Sequence, residues 1–293
     1  MTAAAATKKL NYEVLKSMPV QEAEQTYTDK DTMLYALGIG LGYDPMNEDE
    51  LAFVYEKNLK AFPTFPVVLG YPRKWLRDGP TGIDWVKVVH GEHSLELHRP
   101  FPATGTVIGR SRVVDLVDKG EGKGALIYTE RTLTDKASGA LLASIRQTTF
   151  ARGNGGFGGP MRETPAAHPI PARAPDHVCD LPTRPEMALI YRLNGDRNPL
   201  HAEPDFARAA GFPRPILHGL ATFGIAAHAI LKTLCGYDPA RFRSIAGRFS
   251  APVFPGETIR TEMWRDGTTV SFRARLVERD AVVFNNGRAE ISS

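Results

Sequence analysis

The chain has 293 residues, of which 36 are basic, 33 are acidic and 42% are hydrophobic. This length and apolar content suffice for one large domain or two ordinary ones with buried cores, and they exclude a chain that is mostly disordered. The formal charge of +3 is nearly balanced and includes no basic block suited to nucleic acid, so no nucleic-acid partner is expected.

Cysteine usage and the chain ends indicate the compartment. Cys179 and Cys235 are too few and too far apart for a disulfide framework, and neither belongs to a metal-binding cysteine pair. No apolar run of about 18 residues would span a bilayer, and the start of the chain lacks the apolar core of a secretion signal. The carboxyl-terminal Ile291-Ser292-Ser293 is not a peroxisomal address. We therefore expect a cytoplasmic protein without a membrane partner.

The first half is predicted to contain a helix followed by a β-meander. Residues 31–42 have helical apolar spacing, although three glycines weaken the helix. A turn rich in proline and glycine at residues 100–105 then leads into three β-favouring segments, at residues 107–115, 125–133 and 141–150. Because a charged, glycine-rich turn around Lys119 separates the first two segments, we expect them to be antiparallel.

Residues 153–175 are rich first in glycine and then in proline. Such a composition is typical of a linker that crosses a surface between separately built units. We therefore expect an amino-terminal repeat at residues 1–152 and a carboxyl-terminal repeat at residues 176–293. Each has the size of an ordinary domain, on the order of 120 to 150 residues.

The second half repeats the order of helix and strand. Pro204 and Gly211 mark the two ends of a short helix, and residues 219–235 form a longer helix that ends at Gly236. Many glycines and alanines make the longer helix thin, so a curved sheet can wrap closely around it. Three β-favouring segments follow, at residues 259–264, 269–277 and 281–291. The two halves together predict two helix-in-sheet units, with residues 31–42 as the counterpart of the longer helix.

One loop of the second half combines the residue types of acid–base chemistry. Pro199 biases Asn198 away from the α region, so the loop should turn back and let Asp196 and His201 face one cavity. A carboxylate and an imidazole that share a water molecule can take up and return a proton. The amide of Gly219 has no partner within its helix and lies at the positive end of the helix dipole, which suits a developing oxyanion. This pattern favours an enzyme.

Two other patterns are weaker than they look. His90, His93 and His98 form a loose cluster, but no cysteines or carboxylates complete a ligand set, so no metal site is expected. The glycines at residues 38–42 lack a preceding strand and the full spacing of a dinucleotide-binding loop. No nucleotide cofactor is expected there.

The chain resembles the hydratase 2 type of 2-enoyl-CoA hydratase, which is built from tandem hotdog folds of the MaoC-like class. The resemblance spans most of the chain, and no second Asp-x-Asn-Pro-x-His occurs before residue 152. It rests on the motifs Asp196-x-Asn198-Pro199-x-His201, Leu217-His218-Gly219, His90-Gly91-Glu92 and Asp118-Lys119-Gly120. It implies an α+β fold of two antiparallel sheets, each wrapped around a helix, in which the first repeat makes room for bulky acyl groups.

The resemblance also implies a reaction and a site. The reaction is reversible hydration of a trans-2-enoyl-CoA to a (3R)-3-hydroxyacyl-CoA, with an acyl-CoA as the small-molecule partner and no cofactor or metal. The implied catalytic residues are Asp196, His201 and Gly219, and Asn198 beside them in the active site is an implied substrate-binding residue. Contacts with the CoA ester are implied for His90, Gly91, Lys119 and Phe249. A homodimer is the expected assembly.

Two alternatives stay open at this point. Hotdog folds also serve in thioesterases, and a fold does not fix a function, so thioester hydrolysis is a second enzymatic hypothesis. A non-catalytic subunit that binds acyl-CoA is a third. The intact set of Asp196, His201 and Gly219 is the feature that argues against the binding subunit.

Overall fold

The computed structural model describes residues 9–72 and 75–292. Residues 1–8 and Ser293, which entered the expectations about targeting signals, lie outside this part of the chain. The strands are β1 (Gln21–Tyr27), β2 (Val88–Leu97), β3 (Gly105–Asp118), β4 (Ala125–Asp135), β5 (Leu141–Ala151), β6 (His177–Pro182), β7 (Phe242–Phe249), β8 (Thr258–Asp266), β9 (Thr269–Leu276) and β10 (Val282–Ile291). The α-helices are α1 (Tyr12–Lys16), α2 (Asp29–Gly38), α3 (Glu48–Leu51), α4 (Met187–Tyr191), α5 (Pro204–Ala209) and α6 (Gly219–Cys235).

The strands form one ten-stranded antiparallel sheet in the order β1-β3-β4-β5-β2-β7-β10-β9-β8-β6. Within each half, the first strand of the chain lies at the outer edge and the second lies at the junction, so both halves have the same topology. The junction pairs β2 with β7 and places Leu95 opposite Ile245. This arrangement confirms the predicted α+β tandem hotdog fold, with the two sheets joined edge to edge.

Helix α6 is the central helix of the second half. It begins at Gly219 and ends where Gly236 adopts the left-handed conformation at φ 57°, as predicted from its flanking glycines. Most of its side chains are buried, and it contacts β6, β7, β8 and β10. Small residues permit this close approach; for example, a Cβ on Gly224 would lie 2.6 Å from Cγ2 of Ile39. The helix thus joins its own sheet to the loop after α2.

The predicted counterpart of α6 at residues 31–42 was wrong. Helix α2 ends at Gly38, because Gly40 and Gly42 have φ angles of 92° and 73°, which an α-helix does not allow. It also follows β1 as α4 follows β6, whereas α6 directly precedes the junction strand. At that position in the first half, before β2, the described residues form only short 3-10 turns at Phe65–Val68 and Trp85–Lys87. Repeated prolines between residues 63 and 80 prevent a long helix there.

Residues 153–175 form no helix or strand. The backbone amides of Gly156 and Gly158 donate to the Asp118 carboxylate at 2.8 and 2.9 Å, which holds the start of this segment on the first half. Further along, the Asn286 side chain donates to the His168 carbonyl at 2.8 Å, which holds the segment on the second half. The assignment of separate domains to residues 1–152 and 176–293 stays a prediction. No helix in the described part of the chain is long and apolar enough to cross a bilayer.

Candidate active site

The loop at residues 196–201 folds back as its sequence predicts. Asn198 adopts φ −56° and ψ 125°, and Pro199–His201 then forms one 3-10 turn. The Asn198 side-chain oxygen accepts from the Leu200 amide at 3.1 Å, and the Asp196 carboxylate accepts from the Asn198 amide at 3.1 Å. Asn198 therefore shapes the loop that positions the acid–base pair, and its predicted contact with substrate stays a prediction.

His201 is held in one tautomer. Its Nδ1 lies 2.9 Å from the Ile216 carbonyl oxygen, and a carbonyl can only accept, so Nδ1 carries the proton and Nε2 presents a lone pair. The side chain is only 8% exposed. Burial lowers the pKa of His201, while the hydrogen bond to Ile216 and the Asp196 carboxylate oppose this shift. At neutral pH the imidazole is therefore neutral, and its Nε2 can accept a hydrogen bond.

Asp196, His201 and His218 form the tight centre of the site. One side-chain oxygen or nitrogen from each lies within 4.8 Å of the others. Asp196 is exposed and both histidines are buried, so the carboxylate lies on the solvent side of the two imidazoles. The structure thus brings the two predicted acid–base residues together and adds a third group.

Sequence reasoning missed His218 as part of the site. Its Nε2 donates to the backbone carbonyl of Asp196 at 3.1 Å, and its ring stacks on that of His201. Burial first, and the neighbouring His201 second, lower the pKa of His218 to about 4. His218 is therefore neutral at pH 7 and fixes the backbone that carries the Asp196 carboxylate. Its place directly before Gly219 was the only available signal.

The same three residues are of the types that bind metals, yet their geometry suits a water molecule better. One nitrogen of each imidazole already donates to a carbonyl oxygen. The ring planes differ by only 26° and the ring centroids are 3.7 Å apart, so the remaining lone pairs, which lie in these planes, do not meet at a nearby point. A bound ion needs lone pairs that converge on one point at about 2.0–2.2 Å.

Gly219 presents a free amide at the start of α6. In the described chain no acceptor binds this N–H, and the His218 side chain does not cap the helix. A Cβ at this position would lie 3.2 Å from Cε1 of Phe249, so glycine keeps the space between helix and ring open. The Phe249 ring in turn packs on His90, with centroids 4.6 Å apart. Three of the predicted site residues therefore adjoin, although they belong to three different elements.

Gly91 orients His90 by a β-bulge. The register of β2 against β5 shifts between His90 and Glu92, so Gly91 is the extra residue. The shift places His90 and His93 on the same face of the sheet, where His90 Nε2 lies 3.1 Å from His93 Nδ1. Burial lowers the pKa of His90 to about 4, whereas a hydrogen bond with the Glu92 backbone and the negative charge of Asp196 act in the opposite direction.

Lys119 lies apart from these groups. It is exposed in the loop between β3 and β4, next to Asp118, whose carboxylate also accepts from the Gly120 amide at 2.9 Å. None of the side-chain contacts found in the described residues joins Lys119 to the centre of the site. Its contact with CoA stays a prediction.

Fold and site together define a double hotdog protein of the MaoC-like class. Residues 166–286 match the family described as MaoC like domain, and residues 25–153 match the MFE-2 hydratase 2 N-terminal domain. The solved structure of a MaoC-like dehydratase from Phytophthora capsici superposes with a TM-score of 0.86 at 36% identity, covering 97% of this chain and 98% of that one.

Curated relatives extend over nearly the full length. The chain is 40% identical to Enoyl-CoA hydratase 2, peroxisomal, of Arabidopsis thaliana, over 96% of this chain and 95% of the relative. It is 43% identical to 3-hydroxyacyl-thioester dehydratase Y of Mycobacterium tuberculosis, over 90% of this chain and 92% of the relative. The chain belongs to the enoyl-CoA hydratase 2 family.

Proposed function

We propose that this protein is an (R)-specific 2-enoyl-CoA hydratase, which adds water reversibly to a trans-2-enoyl-CoA and forms a (3R)-3-hydroxyacyl-CoA in acyl-CoA metabolism. The observation that carries the proposal is the acid–base pair of Asp196 and His201 beside the free amide of Gly219. The Arabidopsis relative is named for hydration of enoyl-CoA, and the Mycobacterium relative for the reverse dehydration. Both names support a reversible addition of water to an acyl thioester.

Asp196 and His201 bind the reacting water molecule and transfer its proton. His201 Nε2 accepts one hydrogen of the bound water and the Asp196 carboxylate accepts the other. As the water oxygen bonds to C3 of the enoyl group, its proton passes to the pair and is returned to C2. One C2=C3 π bond and one O–H bond are thus replaced by one C–O bond and one C–H bond. We propose that Asp196 takes this proton, while Nε2 of His201, whose Nδ1–H is bound to Ile216, orients the water and assists delivery of the proton to C2.

The amino-terminal end of α6 stabilises the negative charge that develops on the thioester oxygen. Addition at C3 moves electron density onto the thioester oxygen, where the Gly219 amide can donate a hydrogen bond. The amide is fixed in place and lies at the positive end of a 17-residue helix, so no reorganisation is needed as charge develops. Removal of one such donor elsewhere costs about 3 kcal/mol in the barrier.

The first half supplies the remaining wall of the site. His90 packs on Phe249, and Gly91 supports that orientation through its bulge. Because a long helix is replaced by short turns before β2, we propose that this half accommodates the acyl group. Lys119 is the proposed contact with a CoA phosphate.

We propose that the reaction uses no cofactor, because addition of water requires no electron acceptor or donor. A homodimer and a cytoplasmic location likewise stay proposals; the Arabidopsis relative is named as peroxisomal. Size-exclusion chromatography with light scattering would test the assembly.

Incubation with crotonyl-CoA tests the function. Ultraviolet absorbance of the conjugated enoyl thioester and release of free thiol are followed separately, and the product is resolved on a chiral column. Loss of the absorbance without thiol, giving the (3R) alcohol, is expected. Thiol release would instead identify a thioesterase, and binding without turnover a non-catalytic subunit. A mainly (3S) product would contradict the proposed stereochemistry.

A further inference from the structure

A small cavity lies within the first half, between the sheet and the segment before β2. Its volume is about 20 Å³, and its lining includes Tyr71, Trp75, Ser111, Arg131 and Gln147. Ser111, Arg131 and Gln147 come from the adjacent strands β3, β4 and β5. The cavity is thus built largely on the rigid sheet, and it is separate from the acid–base pair.

Arg131 is a buried charge without a counter-charge. Its side chain is 6% exposed, one Nη donates to the Val67 carbonyl at 2.6 Å, and the guanidinium lies 5.0 Å from the centroid of the Tyr71 ring. Burial lowers the pKa of Arg131 to about 10, so the group is still charged at neutral pH. An uncompensated charge in a protein interior is costly, so a compensating group is required.

No described carboxylate fills that role. Glu130 also borders the cavity, but its two oxygens are bound to Arg112 at 2.7 Å and to Arg146 at 3.0 Å on the exposed side of the sheet. The two positive charges of Arg112 and Arg146 already exceed the single negative charge of Glu130. The positive charge of Arg131 is therefore unmatched by its surroundings.

Three residues that line the cavity also carry hydrogen-bond donors without acceptors among the described residues. Nε of Arg131, Nε1 of Trp75 and Oγ of Ser111 are buried and have no partner among the described residues. The first two groups can only donate, and the serine hydroxyl can donate. One water molecule accepts about two hydrogen bonds and carries no charge. An anion can accept hydrogen bonds from all three groups and would also neutralise the guanidinium.

We propose that this cavity is a binding site for a small monovalent anion of the size of chloride, held by Arg131, Trp75 and Ser111. A volume of about 20 Å³ suffices for one group of roughly the size of water. It therefore excludes sulfate, phosphate and any acyl chain. The inference does not depend on the reaction that the protein catalyses.

The anion site lies behind the first-half wall of the active site. Gln147 on the cavity lining is opposite His93 in the pairing of β5 with β2, and His93 is hydrogen-bonded to His90. A bound anion would offset the charge of Arg131 close to this pair of histidines. The ion is thus placed to stabilise the wall that packs on Phe249.

Thermal unfolding of the full chain tests the proposal. Sodium chloride is compared with sodium gluconate at constant ionic strength, so that general screening is equal and only chloride is small enough for the cavity. A ligand that binds the folded chain raises the midpoint with the logarithm of its concentration. We expect the midpoint to rise by about 2–4 °C between low and high chloride. An equal midpoint in both salts would overturn the proposal.

Variants locate the effect. Arg131→Met should remove the chloride response, whereas the matched control Arg110→Met should keep it, because Arg110 is exposed and paired with Glu22 at 2.9 Å. If Arg131→Met does not fold, Trp75→Phe tests the site instead, since it removes the indole N–H donor and keeps an aromatic ring. A weakened chloride response in Trp75→Phe supports the site, and a response equal to that of the wild type contradicts it.

Crystals soaked in sodium bromide provide a second measurement. An anomalous peak in the cavity next to Arg131 is the expected result. A water molecule alone in the cavity, with no bromide signal at high concentration, would overturn the proposal.

Discussion

The imidazoles of His201 and His218 stack with ring centroids 3.7 Å apart and planes inclined by 26°. Each ring donates one N–H to a backbone carbonyl, His201 to Ile216 and His218 to Asp196. The stack therefore connects His201, which orients the water in the proposed mechanism, to the backbone that carries the Asp196 carboxylate. A substitution of either imidazole is therefore expected to displace both the other imidazole and the Asp196 carboxylate.

His218→Phe should lower kcat without a matching rise in KM. Phenylalanine can keep the stack on His201 but cannot donate to the Asp196 carbonyl, and a lost hydrogen bond of about 1 kcal/mol corresponds to several-fold to tenfold in rate. Steady-state kinetics measure the effect. His98→Gln is the control, because His98 is exposed and distant in the fold. Equal kcat for His218→Phe and the wild type would show that the carbonyl contact is unimportant.

Asp196→Asn and His201→Gln should each reduce hydration a hundredfold or more, the usual size of acid–base effects. Both residues are proposed to act on protons, so the folded structure should persist. Circular dichroism and the unfolding midpoint serve as controls for folding. A folded variant with turnover near that of the wild type would refute the acid–base assignment.

Gly219→Ala should slow the reaction by about tenfold through crowding, since about 1.4 kcal/mol in the barrier is a factor of ten. The amide is retained, but the new Cβ would lie 3.2 Å from the Phe249 ring. Combining it with Phe249→Leu should recover part of the loss, because the smaller side chain can move away. A double-mutant cycle in kcat/KM measures this coupling, and strictly additive losses would contradict the crowding argument.

The free energy of unfolding should fall as the pH is lowered from 6.5 towards 4. The pKa of His218 is about 4 in the folded chain, whereas that of an ordinary exposed imidazole is 6.5, so only the unfolded chain takes up this proton in that interval. Between pH 7.5 and 5 this group alone accounts for about 2 kcal/mol. Urea unfolding of the wild type and His218→Phe at both pH values should show a smaller decrease for the variant. An unchanged pH dependence would show that His218 titrates normally.

Lys119→Ala should raise KM with little change in kcat. A contact with a CoA phosphate is present in the ground state and the transition state alike, so its loss weakens binding without altering the chemical step. The difference from the wild type should shrink in high salt, because Lys119 is exposed. Lys136→Ala, which removes an exposed lysine paired with Glu24, is the matched control. Identical kinetics for Lys119→Ala and the wild type would show that Lys119 does not contact the CoA phosphate.

Local signals were sufficient for α6, β8, β9 and β10 in the second half. The glycines on either side of α6 and the alternation of residues in β9 specify these elements from neighbouring residues alone. Strands β1, β2, β6 and β7 were not predicted. Polar residues throughout β1, the bulge at Gly91 in β2 and Pro182 at the end of β6 weaken the pattern of alternation. Their pairing depends on partners far away in the chain.

The same distinction holds for the site. The loop from Asp196 to His201 could be predicted because Pro199 and Asn198 determine its turn locally. The partnership of His201 with His218 could not, since it requires α6 to return to the loop. The position of His90 beside Phe249 likewise follows from the β2–β7 junction, which no local pattern encodes.

The junction of β2 and β7 also indicates how a chain of this topology can arise by duplication and fusion of a single repeat. Equivalent strands of the two halves meet there, as in a symmetric dimer of single repeats whose subunits have become covalently linked. Such an ancestor would have had two identical reaction centres, one on each side of its axis. Fusion of such subunits would allow one centre to lose its acid–base loop while the other was maintained. The two copies cannot evolve independently, because each contributes a strand to the same seam.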